Sequence, residues 1–141
     1  MDLQQLDFDL PVPGYAHPGD AGLDLYAAKN AFVTDGTVFI PTGVALAIPD
    51  GHVGLVCPRS GLSRHGVTVA NAPGVVDSGY RGEVMVRLTN TSTTPYQVYF
   101  ADRIAQLLIV PIARPEITVV DRLDDTERGT GGFGSRSEEH T

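Results

Sequence analysis

Between Glu83 and Thr89 the chain alternates strictly: Val84, Val86 and Leu88 fall on one side, Glu83, Met85, Arg87 and Thr89 on the other. Side chains alternate across an extended strand with a period of two, so a segment like this buries one face and wets the other. The same period recurs at Val44, Leu46 and Ile48, at Val53 and Leu55, at Val98 and Phe100, and at Ile117 and Val119. Turn signals such as Pro49-Asp50-Gly51 separate these runs, drawn from 16 glycines and 10 prolines in 141 residues. Short alternating runs between frequent turns predict an all-β, antiparallel sandwich or barrel. No sustained helical pattern with caps occurs. Ile104 to Val110 is apolar on both faces except at Gln106, which suits a strand buried on both faces and leaves a short helix as the alternative. Pro73-Gly74, with apolar runs on either side, predicts a hairpin turn.

The length suits one domain with its own core, and 42% hydrophobic residues suit a soluble globular protein. A globular body over 1–123 is expected, followed by a polar, glycine-rich arm over 124–141 that reads as mobile when taken alone. Met1 to Leu10 mixes acidic and apolar residues without a basic start, unlike a secretory signal, and no apolar run approaches a membrane span. A cytoplasmic location, with no membrane partner, is the default. The net charge of -7 argues against a broad nucleic-acid surface. A polyanionic ligand would need local arginines, backbone N–H groups and a divalent cation to offset that field. The single cysteine, Cys57, closes an apolar run and reads as a small buried thiol.

Five segments carry more chemistry than turns require. In His17-Pro18-Gly19-Asp20-Ala21-Gly22-Leu23-Asp24-Leu25, Asp24 faces away from Leu23 and Leu25 and suits Mg2+, directly or through water. Asp20 and Asp24 equally fit plain turn and edge positions. Pro58-Arg59-Ser60-Gly61-Leu62 offers a guanidinium, a hydroxyl and a glycine that admits a ligand close to the backbone. It lacks the Gly-Lys-Ser/Thr of a Walker loop. From Asn71 to Glu83, backbone groups around Gly74 suit the edge of a base, Asp77 suits activation of a water, and Tyr80 offers a flat face to a sugar. In Asp102-Arg103-Ile104-Ala105-Gln106 one amide interrupts an apolar run and must find partners, either a backbone or a phosphate. Arg128-Gly129-Thr130-Gly131-Gly132-Phe133-Gly134-Ser135 has the composition of a linker or of a flap closing over an aromatic ring.

In this order and spacing, DAGLDL, PRSGL, GVVDSGYRGE, DRIAQL and RGTGGFGS resemble the five motifs of the homotrimeric dUTPase family, from His17 to about Ser135. The resemblance implies a distorted β jelly roll, a homotrimer with active sites at subunit interfaces, and hydrolysis of dUTP to dUMP and pyrophosphate with Mg2+. It implies that Asp77 orients the attacking water and that Tyr80 packs under the deoxyribose. Asn71 with the backbone of Gly74, Val75 and Val76 would read uracil. Arg59, Ser60, Gly61 and Gln106 would hold the phosphates, and Asp24 would support Mg2+ through water. Arg128 would grip the γ-phosphate, Phe133 would stack on uracil, and Gly134 and Ser135 would add contacts. Ala101 stands where the family usually has glycine, and Arg136-Ser137 where Thr-Gly is common. Two alternatives remain: a dCTP deaminase-like member of the same fold, or a non-catalytic nucleotide-binding module. The deaminase would need a glutamate within the strand after the third motif, where Val84 to Leu88 supplies none.

Overall fold

The computed structural model describes residues 1–132. Its strands are β1 (Asp2–Gln5), β2 (Gly22–Tyr26), β3 (Ala31–Val33), β4 (Thr37–Ala47), β5 (His52–Cys57), β6 (Val67–Val69), β7 (Gly74–Val76), β8 (Glu83–Asn90), β9 (Tyr96–Val98) and β10 (Arg103–Pro111). One helical turn, α1 (Ser60–Ser63), sits in the segment that follows β5. Two four-stranded sheets, ordered β1-β4-β8-β6 and β2-β10-β5-β7, and a small β3-β9 pair are antiparallel throughout. The all-β expectation holds.

The alternation in β8 is realised as read, with Val84, Val86 and Leu88 buried and Met85 exposed. One cluster joins Ile40, Val86 and Leu88 of the first sheet to Leu25, Ile104 and Leu107 of the second, so the sheets pack face to face. Each such side chain stabilises the fold by roughly 1.5–3 kcal/mol when fully buried.

Three sequence expectations are corrected. The runs flanking Pro73-Gly74 do not pair with each other. β6 joins β8 in the first sheet and β7 joins β5 in the second, so the turn carries the chain between sheets. Val67 and Val69 are drawn into the core beside β8, whereas Gly74 fits against Val56, whose Cβ would lie 3.3 Å from a Cβ built at Gly74. Second, β10 is buried on one face, at Ile104, Ala105 and Leu107, while Gln106 and Leu108 are half-buried on the other. Third, Ile117 and Val119 form no strand and are exposed, by 83% and 94%. An alternating run needs a neighbour to pair with, and both edges of the preceding strand, β10, are already taken by β2 and β5.

Two irregularities set the shape. β4 shifts register against β8 between Pro41 and Ala45, where Gly43 has φ +73° and its N–H donates to Glu83 Oε2 at 2.8 Å. β10 shifts register against β2 between Arg103 and Ala105. Just before β10 the chain turns at Ala101, whose φ of +70° lies in the left-handed region. The turn is tied at both ends: Ala101 N–H donates to Ala27 O at 2.8 Å, Asp102 N–H to Tyr99 O at 3.0 Å, and the Asp102 carboxylate accepts Tyr99 N–H at 2.8 Å.

A methyl-bearing residue in this conformation costs about 1–2 kcal/mol, part of which glycine recovers after its own larger loss of chain entropy. Ala101→Gly is expected to stabilise the protein by about 1 kcal/mol. Urea unfolding at fixed protein concentration tests this, and an unchanged or lower midpoint would show that the strain relieved does not exceed glycine's cost in chain entropy.

Candidate functional site

The second sheet brings three of the five segments to one place. Gln106 of β10 pairs with Asp24 on one side and with Cys57 on the other. Arg59, Ser60 and Gly61 follow directly from the end of β5. Asp24, Arg59, Ser60, Gly61 and Gln106 together line a cavity of about 600 Å³, with Cys57 and Arg103 beside them. His17, Asp20 and Gly22 also line it.

The electrostatics centre on Asp24. Its carboxylate, 13% exposed, lies 3.4 Å from Arg59 Nε through Oδ1 and 3.4 Å from Arg103 Nε through Oδ2. Arg59 also donates from Nη1 to the Arg103 carbonyl at 3.3 Å. The Tyr26 hydroxyl first, and the Asp24 carboxylate after it, hold the Arg103 pKa above its ordinary value. Gln106 Nε2 donates to Pro58 O at 2.9 Å, which fixes the amide and leaves its oxygen beside Gly22. Asp20 has the turn role that its sequence also allowed, since its carboxylate accepts the His17 N–H at 2.9 Å.

A dedicated metal cage is not part of this arrangement. Among the described residues no three His, Cys, Asp or Glu side chains cluster to hold an ion. The Asp24 carboxylate beside an arginine-lined cavity instead fits Mg2+, which commonly keeps its waters and binds through one or two carboxylates and the phosphates of a substrate.

The remaining candidates lie elsewhere on the same chain. Asn71, Gly74, Val75, Val76, Asp77 and Tyr80 do not line this cavity. They form a second group one strand further out, with Gly74 opposite Val56 and Val75 opposite Leu55. The Asn71 amide lies over Gly74, and Asp77 is exposed at the end of β7. The Tyr80 hydroxyl donates to Glu83 O at 2.9 Å, which holds the ring in a fixed pose with 47% of the residue exposed. Arg128 is exposed and donates from Nε to Gly131 O at 2.6 Å, away from the cavity. Phe133, Gly134 and Ser135 lie outside the described residues.

A family model described as dUTPase matches residues 9–137. A Thermobifida fusca protein named deoxyuridine 5'-triphosphate nucleotidohydrolase is 51% identical over 138 residues, covering 96% of this chain and 77% of its own. One from Leifsonia xyli with the same name is 50% identical over 135 residues, covering 90% and 89%.

The chain belongs to the dUTPase family.

Solved structures of dUTPases agree. The dUTPase of Staphylococcus bacteriophage 80alpha with dUPNHPP superposes with a TM-score of 0.84 at 29% identity, over 95% of this chain and 96% of that one. A mutant dUTPase of phage phi11 of S. aureus, whose structure concerns a structural Mg(II) ion, has a TM-score of 0.81 at 27% identity, over 88% and 98%.

Sequence reading missed two residues of the cavity. Cys57 was expected to be buried and is half-exposed in the lining, because its strand ends there and the chain leaves the sheet. Arg103 was passed over although it stands in the fourth motif. Three residues from Gln106, it should point to the opposite face, and the register shift between Arg103 and Ala105 reverses that parity. Two consecutive buried residues, Ile104 and Ala105, are the sequence trace of that bulge.

A methyl group on Gly22 would collide with the Gln106 side chain. Gly22→Ala is therefore expected to displace the amide from Pro58 O, costing about 1 kcal/mol of stability for one hydrogen bond. Equilibrium unfolding reads this, and an unchanged midpoint would show that the Gln106 side chain accommodates the methyl group without losing that bond.

Proposed function

We propose that this protein hydrolyses dUTP to dUMP and pyrophosphate, removing the nucleotide that would place uracil in DNA and supplying dUMP for thymidylate synthesis. The observation that carries this reading is the convergence of Asp24, Arg59, Ser60, Gly61 and Gln106 on one cavity, with Asp77 and Tyr80 outside its lining. The first group suits a triphosphate: a fork of N–H donors, a hydroxyl, a glycine that admits close approach, and one carboxylate for a hydrated cation. The second group suits a deoxynucleoside. Exposed backbone on β7 together with the Asn71 amide would pair with the uracil edge, and the fixed Tyr80 ring would lie under the sugar.

As the family resemblance implies, we take the complete site to draw the two groups from different copies. We take the protein to act as a homotrimer in which each site combines the phosphate cavity of one chain, the β7 region of a second and the carboxy-terminal arm. The apolar residues Ile117, Val119 and Leu123, exposed by 83%, 94% and 80%, support such an assembly, because side chains of this kind are stabilised by burial against a partner. The arm over 124–141 would close over a neighbouring site, with Arg128 on the γ-phosphate, Phe133 on uracil, and Gly134 and Ser135 adding contacts.

In the reaction, Asp77 takes a proton from a bound water as the water oxygen attacks the α-phosphorus. The bond from that phosphorus to the bridging oxygen breaks, and pyrophosphate leaves with the electron pair. Arg59, Ser60, Gly61 and Gln106 hold the phosphates in line and stabilise the charge that moves onto them. Mg2+ held mainly by the triphosphate, with Asp24 contacting its water, would supply further neutralisation. A strand edge that pairs with uracil rejects cytosine because the mismatch leaves buried polar groups unpaired. Glu83, the acidic residue of β8, is engaged by the Gly43 N–H, which does not favour a deaminase. Among the described residues no helix is long and apolar enough to cross a membrane, and a cytoplasmic site of action fits a deoxynucleotide substrate.

Pyrophosphate release from dUTP, with dTTP, dCTP and UTP in parallel and with Mg2+ or EDTA, tests the whole reading. Rapid release from dUTP alone, dependent on Mg2+, is expected. Ammonia release from dCTP would instead establish the deaminase, and no turnover by a folded protein that binds dUTP would establish the binding module. Asp77→Asn should keep nucleotide affinity while kcat falls by about 10²- to 10⁴-fold. Unchanged turnover would exclude Asp77 as the base. Deletion from Arg128 onward should leave a trimer in sedimentation while hydrolysis is severely impaired, the behaviour of a lid rather than of core.

A further inference from the structure

Asp24 and Arg59 have tasks that conflict with their present pairing. In the reading above, Arg59 must grip phosphate and Asp24 must face a hydrated cation. Here each is engaged with the other, Arg59 Nε lying 3.4 Å from Oδ1. A polyanion entering the cavity competes for Arg59, and when Arg59 turns to it Asp24 loses one of its two cationic partners. A carboxylate only 13% exposed then depends on whatever partner remains.

That partner is Arg103, which reaches the other oxygen, Oδ2, at 3.4 Å. The two arginines are held differently. Arg59 lies just past the end of β5, outside the sheet ladder, and is tied there by Asp24 and by the Arg103 carbonyl that its Nη1 reaches at 3.3 Å. Arg103 belongs to β10 and is opposite Tyr26 in the β2 ladder, so its backbone is fixed by the sheet. The bulge at Arg103 aims its side chain to the face that Gln106 and Asp24 share.

We propose that Arg103 is a positioning residue that keeps Asp24 aimed into the cavity while Arg59 transfers from Asp24 to the substrate's phosphates. It acts on the cation-binding side of the site through Asp24, without touching the nucleotide. This rests on the dUTP reading given above.

Charge alone predicts the opposite of positioning. Removing a cation beside Asp24 makes the cavity more negative and should tighten Mg2+ binding. Losing the residue that orients a carboxylate should weaken it, by about 10- to 100-fold for partners of metal-side ligands. The test is calorimetric titration of the full chain with dUPNHPP, in Mg2+ and in EDTA, for the wild type, Arg103→Gln and Arg103→Lys, with the Mg2+ dependence of dUTP hydrolysis measured beside it.

For Arg103→Gln, affinity in EDTA is expected to fall modestly with the lost charge, while the gain conferred by Mg2+ shrinks by about tenfold or more and the Mg2+ requirement for turnover rises. Arg103→Lys, which keeps the charge on a strand-borne side chain, should recover part of that gain. An unchanged gain, or a lower Mg2+ requirement, overturns the proposal. So does an equal loss with and without Mg2+, since Arg103 would then contact phosphate directly. Should Arg103→Gln fail to fold, Arg103→Lys decides alone: it must fall below the wild type in Mg2+ and match it in EDTA. Wild-type protein that binds no dUPNHPP overturns the dUTP reading itself, and this one with it.

Discussion

The pairing of β10 with β2 on one edge and β5 on the other is the constraint to which the cavity is referred. It places Asp24, Gln106 and Cys57 in one row across three strands. A strand has no freedom to move one side chain along that row without moving its register, and a slip of one residue would send Gln106 into the core and Leu107 into the cavity. The buried face of β10, with Ile104, Ala105 and Leu107 in the main cluster, opposes such a slip. Packing on one face of the strand thus fixes the chemistry on the other.

The ion pairs around Asp24 follow a different logic. Both are at 3.4 Å and both arginines are partly exposed, so their contribution to folding is small. Their value lies in what they hold ready. An acidic chain repels a triphosphate overall, and local arginines must be kept at the cavity without collapsing onto solvent or onto one another. A shared carboxylate does this, spacing two guanidiniums on its two oxygens.

Much of this was legible in the sequence, and the parts that were not have a common cause. β8 could be read residue by residue because its alternation is unbroken and one face is fully buried. Asp24 could be placed on the face opposite Leu23 and Leu25 for the same reason. The role of Arg103 could not, since a single bulge reverses parity and the two-residue period contains no record of it beyond adjacent Ile104 and Ala105. Nor could the destination of β7. A Pro-Gly turn marks a change of direction, but which sheet accepts the following strand depends on contacts with Val56 and Leu55 far away in sequence. The five motifs identified the family where local patterning alone stopped at a β sandwich.

Ile117 and Val119 tie the sheet to the proposed assembly. Their alternation predicts a strand, and within the chain no edge of β10 remains to receive one. An alternating segment left outside its own fold keeps its apolar face in water and its backbone groups bonded only to solvent, and a second copy can offer both burial and pairing. In the proposed trimer, the burial that stabilises assembly would also carry the following arm toward a neighbouring cavity. Assembly and completion of the site would then be one event. A chain that failed to associate would keep the phosphate cavity of Asp24, Arg59 and Gln106 but would have no Asp77 opposite it, so hydrolysis would be confined to the assembled protein without any separate regulatory element.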